Sequence, residues 1–94
     1  MSALRDRIHE LAALPANWDS HGAKPITPAA TGAALALAPH LGPEWHVYPR
    51  ANGGLMFERG DYDDVMVEPD GSLSVTLEGL TVGHVRRVLE VADA

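Results

Sequence analysis

Residues 45–58 read Trp45-His46-Val47-Tyr48-Pro49-Arg50-Ala51-Asn52-Gly53-Gly54-Leu55-Met56-Phe57-Glu58, and the fold turns on how this stretch is read. Two short runs holding aromatic and β-branched residues flank Asn52-Gly53, a pair that tolerates the positive φ angles of a tight hairpin turn. In the second run Leu55 and Phe57 share one face, the period of two that marks a half-buried strand. The stretch therefore predicts a β-hairpin.

The same period continues downstream. Gly60-Asp61 interrupts the chain before Val65-Met66-Val67-Glu68, and Pro69-Asp70-Gly71 interrupts it again before the run from Ser72 to Leu77. There Leu73, Val75 and Leu77 alternate with Ser72, Ser74 and Thr76, apolar inward and polar outward. Links this short join only antiparallel neighbours, because a parallel crossover needs about a dozen residues or more. A four-stranded antiparallel meander is expected.

Upstream the period is helical. Ser2 is placed to cap a helix in which Leu4, Ile8, Leu11 and Ala12 recur on one side, and Pro15 stops it, so the first helix is expected from about Ala3 to Leu14. Thr27-Pro28 opens a second, with threonine at the N-cap and proline at the first helical position, where a missing N–H is harmless. Its run to Leu37 or Ala38 carries a narrow stripe of Ala30, Ala34, Leu37 and Leu41 that lets another element approach closely. After the strands, Thr81 is placed to cap a last helix from Val82 to about Ala92, buried through Val85, Val88, Leu89 and Ala92. The expected fold class is α+β: two N-terminal helices, a four-stranded antiparallel meander and a C-terminal helix packed on one sheet face, with the polar face open.

Ninety-four residues leave no room for a second core, so residues 1–94 are read as a single domain. The absence of cysteine excludes a disulfide framework, a thiolate zinc site and a cysteine nucleophile. No apolar run suits a signal peptide or approaches the roughly 20 residues of a membrane span, and a cytoplasmic protein is expected.

The net charge of −6 is unevenly placed. Residues 1–50 balance, whereas residues 51–94 carry nine acids against Arg59, Arg86 and Arg87 and so hold the whole excess. Phosphate backbones are bound by clustered Lys and Arg, so this surface disfavours direct nucleic-acid contact and favours a basic protein partner. The candidate partner-binding residues are Glu58, Asp61, Asp63, Asp64, Glu68 and Asp70.

Catalytic and metal chemistry find little support in the spacings. His9, His21, His40, His46 and His84 never recur at a separation that puts two rings on one ion. The acids of 61–70 lack the glycine and the terminal glutamate of a calcium loop. Asp19-Ser20-His21 holds the residue types of a triad, but adjacent loop side chains converge poorly as nucleophile, base and orienter. Gly53-Gly54 lies in a hairpin, not between a strand and a helix as a phosphate loop requires. No cofactor and no metal are expected, and binding is favoured over catalysis.

The most distinctive segment runs from Leu14 to Pro28. Its turn formers surround Trp18, which can plug the core while Asn17 and Asp19 bond local backbone, a structural clasp between two helices. With Leu14-Pro15, Asn17-Trp18-Asp19, Gly22-Ala23, Pro25-Ile26, the alanine-rich helix and later Gly53-Gly54-Leu55, Phe57-Glu58, most of the chain resembles a group of short bacterial and phage proteins. That resemblance implies an accessory gene of a mobile element. Together with the acidic half it leads to the expectation of a small protein-binding inhibitor, anti-CRISPR-like, acting on a basic nucleic-acid-handling complex. An antitoxin or immunity protein neutralising a basic toxin is the alternative, and a homo-oligomer is a further reading.

Overall fold

Thr27 shows how this sequence joins helix to sheet. Its side chain accepts a hydrogen bond from the Ala30 N–H (3.0 Å) and so caps helix α2, Pro28–Leu37. The same hydroxyl donates to the Pro69 carbonyl (2.6 Å), and the Thr27 N–H donates to the Gly53 carbonyl (3.0 Å). One residue thus ties the helix start to two hairpin turns. The computed structural model describes residues 3–77 and 80–85.

Helix α1 spans Ala3–Ala12 and buries Leu4, Ile8 and Leu11. It ends two residues before the predicted Leu14, because Ala13 and Leu14 bond back three residues, to Glu10 and Leu11, tightening the chain ahead of Pro15. Helix α2 passes into a 3₁₀ turn over Ala38–His40. Its buried stripe is Ala30, Ala34 and Ala38, while Leu37 and Leu41 only flank the core.

Five strands follow: β1 His46–Pro49, β2 Leu55–Arg59, β3 Asp63–Val67, β4 Leu73–Leu77 and β5 Leu80–Val85. They pair in sequence order as an antiparallel meander. The β1–β2 link covers residues 50–54, and Arg50 and Gly54 close a three-residue turn between them: the Gly53 N–H bonds the Arg50 carbonyl, the Arg50 N–H bonds the Gly54 carbonyl, and Gly53 takes φ +95°.

The four predicted strands are present, but the expected helix from Val82 is not formed through Val85. Those residues belong to β5, with Leu77 opposite Leu80 and Val75 opposite Gly83. The stretch carries both periods, and its β-branched Thr81, Val82 and Val85, two residues from the end of β4, favour hairpin pairing over a capped helix. The remainder of that predicted helix, residues 86–92, lies outside the described residues.

Register decides which side chains meet. Val47, Phe57, Val65 and Val75 form one cross-strand row, and Leu55, Val67 and Leu73 the next. All but the partly exposed Val75 are buried, and they pack with Ile8, Leu11, Ile26, Ala30, Ala34 and Trp45 into one core. The opposite face carries His46, Tyr48, Met56, Glu58, Asp64, Met66, Ser74 and Thr76, none of them buried. Among the described residues no helix is long and apolar enough to cross a membrane.

Two glycines test this layering in opposite directions. A Cβ on Gly54 would strike the Val67 carbonyl, so Gly54→Ala is expected to lower stability by about 3 kcal/mol. A Cβ on Gly32 in α2 meets nothing within 4 Å, so Gly32→Ala is expected to raise it by roughly 0.5–1 kcal/mol. Chemical denaturation of both variants measures the two signs.

Candidate functional site

The acids singled out in the sequence separate into two groups once strand parity is applied. On the core side of the sheet rim, Arg59 and Asp63 sit opposite each other in register, and the guanidinium holds the carboxylate at 2.9 Å from Nε and 2.8 Å from Nη2. Arg59 also lies 4.8 Å from the centroid of the Trp45 ring and 3.5 Å from Glu44. Its pKa is raised, chiefly by the hydrogen bond to Asp63, with Glu44 adding to the effect and partial desolvation opposing it. Asp63 is only 15% exposed, so it supports the rim and offers little to a partner.

Glu68 is similarly committed. Arg50 Nη1 reaches both of its carboxylate oxygens, at 3.0 and 2.9 Å, fastening the end of β1 to the end of β3. Asp70 Oδ1 accepts from the Ser72 N–H (2.9 Å) and hydroxyl (2.7 Å), which shapes the β3–β4 turn. These three carboxylates thus serve the fold.

The other three lie elsewhere. Asp61 is exposed in the β2–β3 turn beside Tyr62, which is 69% exposed. Glu58 and Asp64 occupy directly opposed positions on β2 and β3, on the face away from the core, and no ion pair to either occurs among the described residues. Like charges facing each other across a ladder destabilise a sheet. Next to that pair, Tyr48, Met56 and Met66 are consecutive cross-strand neighbours, and Tyr48 is 42% exposed. The face therefore carries Tyr48, Met56 and Met66 beside Ser74 in one row and, in the adjacent one, Glu58 and Asp64 flanked by His46 and Thr76. The sequence reading missed the methionines, although they alternate strictly with the buried Leu55, Phe57, Val65 and Val67.

The Leu14–Pro28 segment is held by its own polar groups. Asp19 Oδ1 accepts from the backbone N–H of His21 (2.8 Å) and of Ala23 (3.0 Å), and Asn17 Oδ1 accepts from the Gly22 N–H (2.7 Å). Asn17 takes φ +63°, a conformation asparagine accepts more readily than most residues. The Trp18 indole donates to the Lys24 carbonyl (3.2 Å), joining the two arms of the loop, while the ring stays half-buried. The tryptophan that fills the core is Trp45. Among the described residues no three metal-ligating side chains converge.

No protein-family model, curated protein or solved structure matches the chain.

The division of the acids has a measurable consequence. Glu58→Gln removes a like-charge contact and is expected to raise stability by about 0.2–1 kcal/mol. Glu68→Gln weakens the half-buried contact with Arg50 and is expected to lower it by about 0.5–1 kcal/mol. Thermal unfolding of the pair should give shifts of opposite sign. Asp19→Ala, which strips two backbone N–H groups of their acceptor, is expected to lose about 1–3 kcal/mol in the same assay, with Asp19→Asn recovering part of it.

Proposed function

We propose that this chain is a small acidic inhibitor that binds a basic, nucleic-acid-handling protein complex through the sheet face opposite its core, in the manner of an anti-CRISPR protein. The observation that carries the reading is the Glu58–Asp64 pair, two facing carboxylates with no cationic partner among the described residues. A lysine or arginine from a partner would relieve their repulsion, so part of the binding energy comes from a strain present only in the free protein.

The neighbouring Tyr48, Met56 and Met66 supply what electrostatics alone does not. Tyrosine and methionine are enriched in protein interfaces, and methionine adapts its shape to irregular surfaces. The acidic row would steer a basic surface towards the sheet, and the apolar row would hold it there once water is expelled. Carboxylates placed over lysine and arginine side chains that ordinarily hold phosphate would compete with nucleic acid for the same surface. The resemblance to short bacterial and phage proteins favours an inhibitor or an antitoxin and carries no target of its own.

The test begins with affinity capture from a host lysate and identification of the bound complex, followed by binding measurements on the purified partner. Glu58→Lys/Asp64→Lys is expected to weaken affinity at least tenfold without lowering the unfolding midpoint, while Lys24→Glu on the far loop leaves affinity unchanged. Equal affinity of the double variant and the parent, at low and at physiological salt, overturns the proposal.

A further inference from the structure

Helix α1 and strand β1 leave a cleft of about 650 Å³ between them, within the size range of small-molecule sites. Leu4, Arg7, Leu41, Trp45, His46 and Tyr48 are among the residues that line it. His46 and Tyr48 also belong to the outer face, so the cleft opens at the border of that face. Leu4 and Arg7 come from α1, and Leu41 from the end of the 3₁₀ turn.

Charge in the cleft runs against the charge of the chain. The protein carries −6, yet among the described residues the lining includes Arg7 and His46 and no carboxylate. The neighbouring acids lie outside it: Glu44 reaches Arg59 at 3.5 Å, Glu58 stands opposite His46 on β2, and Glu10 meets Arg7 at 3.3 Å. Only the last of these engages Arg7. Both side chains of that pair are at least half exposed, so an incoming anion exchanges with Glu10 readily.

Trp45 adds a donor. The residue is 7% exposed, and its indole N–H has no hydrogen-bond partner among the described residues, whereas that of Trp18 donates to the Lys24 carbonyl. Among the described residues no buried side-chain polar atom is left unpaired, so the Trp45 N–H reaches solvent from an otherwise buried ring. Tryptophans in such positions ordinarily pair this group.

We propose that the cleft between α1 and β1 binds a small organic anion of the aromatic carboxylate class. The carboxylate meets Arg7, the apolar body lies against Leu4 and Leu41, and the indole N–H of Trp45 donates to a polar atom of the ligand. Apolar walls with a few placed donors are the usual makeup of a small-molecule site, and a carboxylate on a guanidinium forms charge-assisted bonds. An aromatic body suits walls that hold Trp45 and Tyr48. This inference goes beyond the outer-face reading, since it needs neither Glu58 nor Asp64 nor a protein partner.

The probe is 2-naphthoate, titrated into the isotope-labelled full chain, with 2-naphthamide and 2-naphthylmethylammonium as its neutral and cationic matches. Saturable one-to-one binding of the naphthoate is expected, with a Kd of about 1 mM or tighter. The Trp45 indole N–H resonance should move while that of Trp18 stays in place, and Trp18→Phe assigns the two signals. The amide should bind about three- to tenfold more weakly, and the ammonium more weakly still. Arg7→Gln should lower naphthoate affinity by a similar factor and leave that of the amide unchanged. Ala3→Trp, which places a bulky ring at an exposed lining position, should abolish binding of both. An unchanged unfolding midpoint verifies the fold of each variant. Absence of saturable binding, equal affinity for the three probes, an Arg7→Gln variant that binds as the parent does, or shifts that spare Trp45 and centre on Met56 and Met66 overturn the proposal. The assay contains no partner protein and leaves Glu58 and Asp64 intact, so its failure is separate from a failure of the outer-face reading.

Discussion

Three hydrogen bonds at Thr27 set the relation between the helical layer and the sheet. A threonine that only capped α2 would leave the helix free to slide, since its buried contacts are alanines with little to interlock. The bonds to the Gly53 and Pro69 carbonyls remove that freedom by fixing the helix start against two turns. Glycine is required on the other side of the joint. Gly53 and Gly71 both have positive φ, and a Cβ on either would come within 3.2 Å of a backbone carbonyl, Pro25 for the first and Ala29 for the second. The close fit of loop, helix and hairpins therefore depends on two residues without side chains, one against Pro25 and Thr27 and the other against Ala29.

Everything outward follows from where that joint puts the helices. With α1 and α2 on one face, strand parity sends Leu55, Phe57, Val65 and Val67 into the core and Met56, Glu58, Asp64 and Met66 to the other side. Parity also sorts the charges. Arg50 and Arg59 each hold a carboxylate, Glu68 and Asp63, whereas the residues opposed on the outer face are both acidic. Among the described residues of the paired strands, the two arginines therefore leave Glu58 and Asp64 facing each other without a cation.

Much of this was legible in the chain because local chemistry and tertiary structure agree. Thr27-Pro28 and Asn52-Gly53 act through backbone geometry that needs no distant partner, and the alternation in 55–57 and 73–77 reports burial directly. The fifth strand was not legible, because Val82 and Val85 satisfy a helical stripe as well as a strand and only pairing with β4 separates the two. The sequence reading sent the wrong tryptophan into the core, Trp18 in place of Trp45. Trp18 sits among turn formers that bond their own backbone and keep the loop at the surface, whereas Trp45 precedes a strand whose inward parity it shares. The acidic residues could be counted but not sorted, since the pairing of Arg50 with Glu68 spans 18 residues and exists only through register.

A sheet covered on one face by two short helices has to manage its other face and its edges, and charges or prolines there can serve solubility alone. That explanation accounts for Pro43 and Pro49, which shorten the exposed edge, and for Asp61 in a turn. It accounts poorly for Glu58 facing Asp64. A solubilising charge works equally well opposite a serine or a threonine, and β4 carries both. Two carboxylates set against each other, beside an uncharged row of tyrosine and methionine, lower the stability of the free protein while leaving an apolar surface in water. The carboxylates add to solubility, but setting them against each other and leaving the apolar row beside them do not. A basic and partly apolar surface laid over them would relieve both, so the proposal of a partner rests on their adjacency more than on the net charge of the chain.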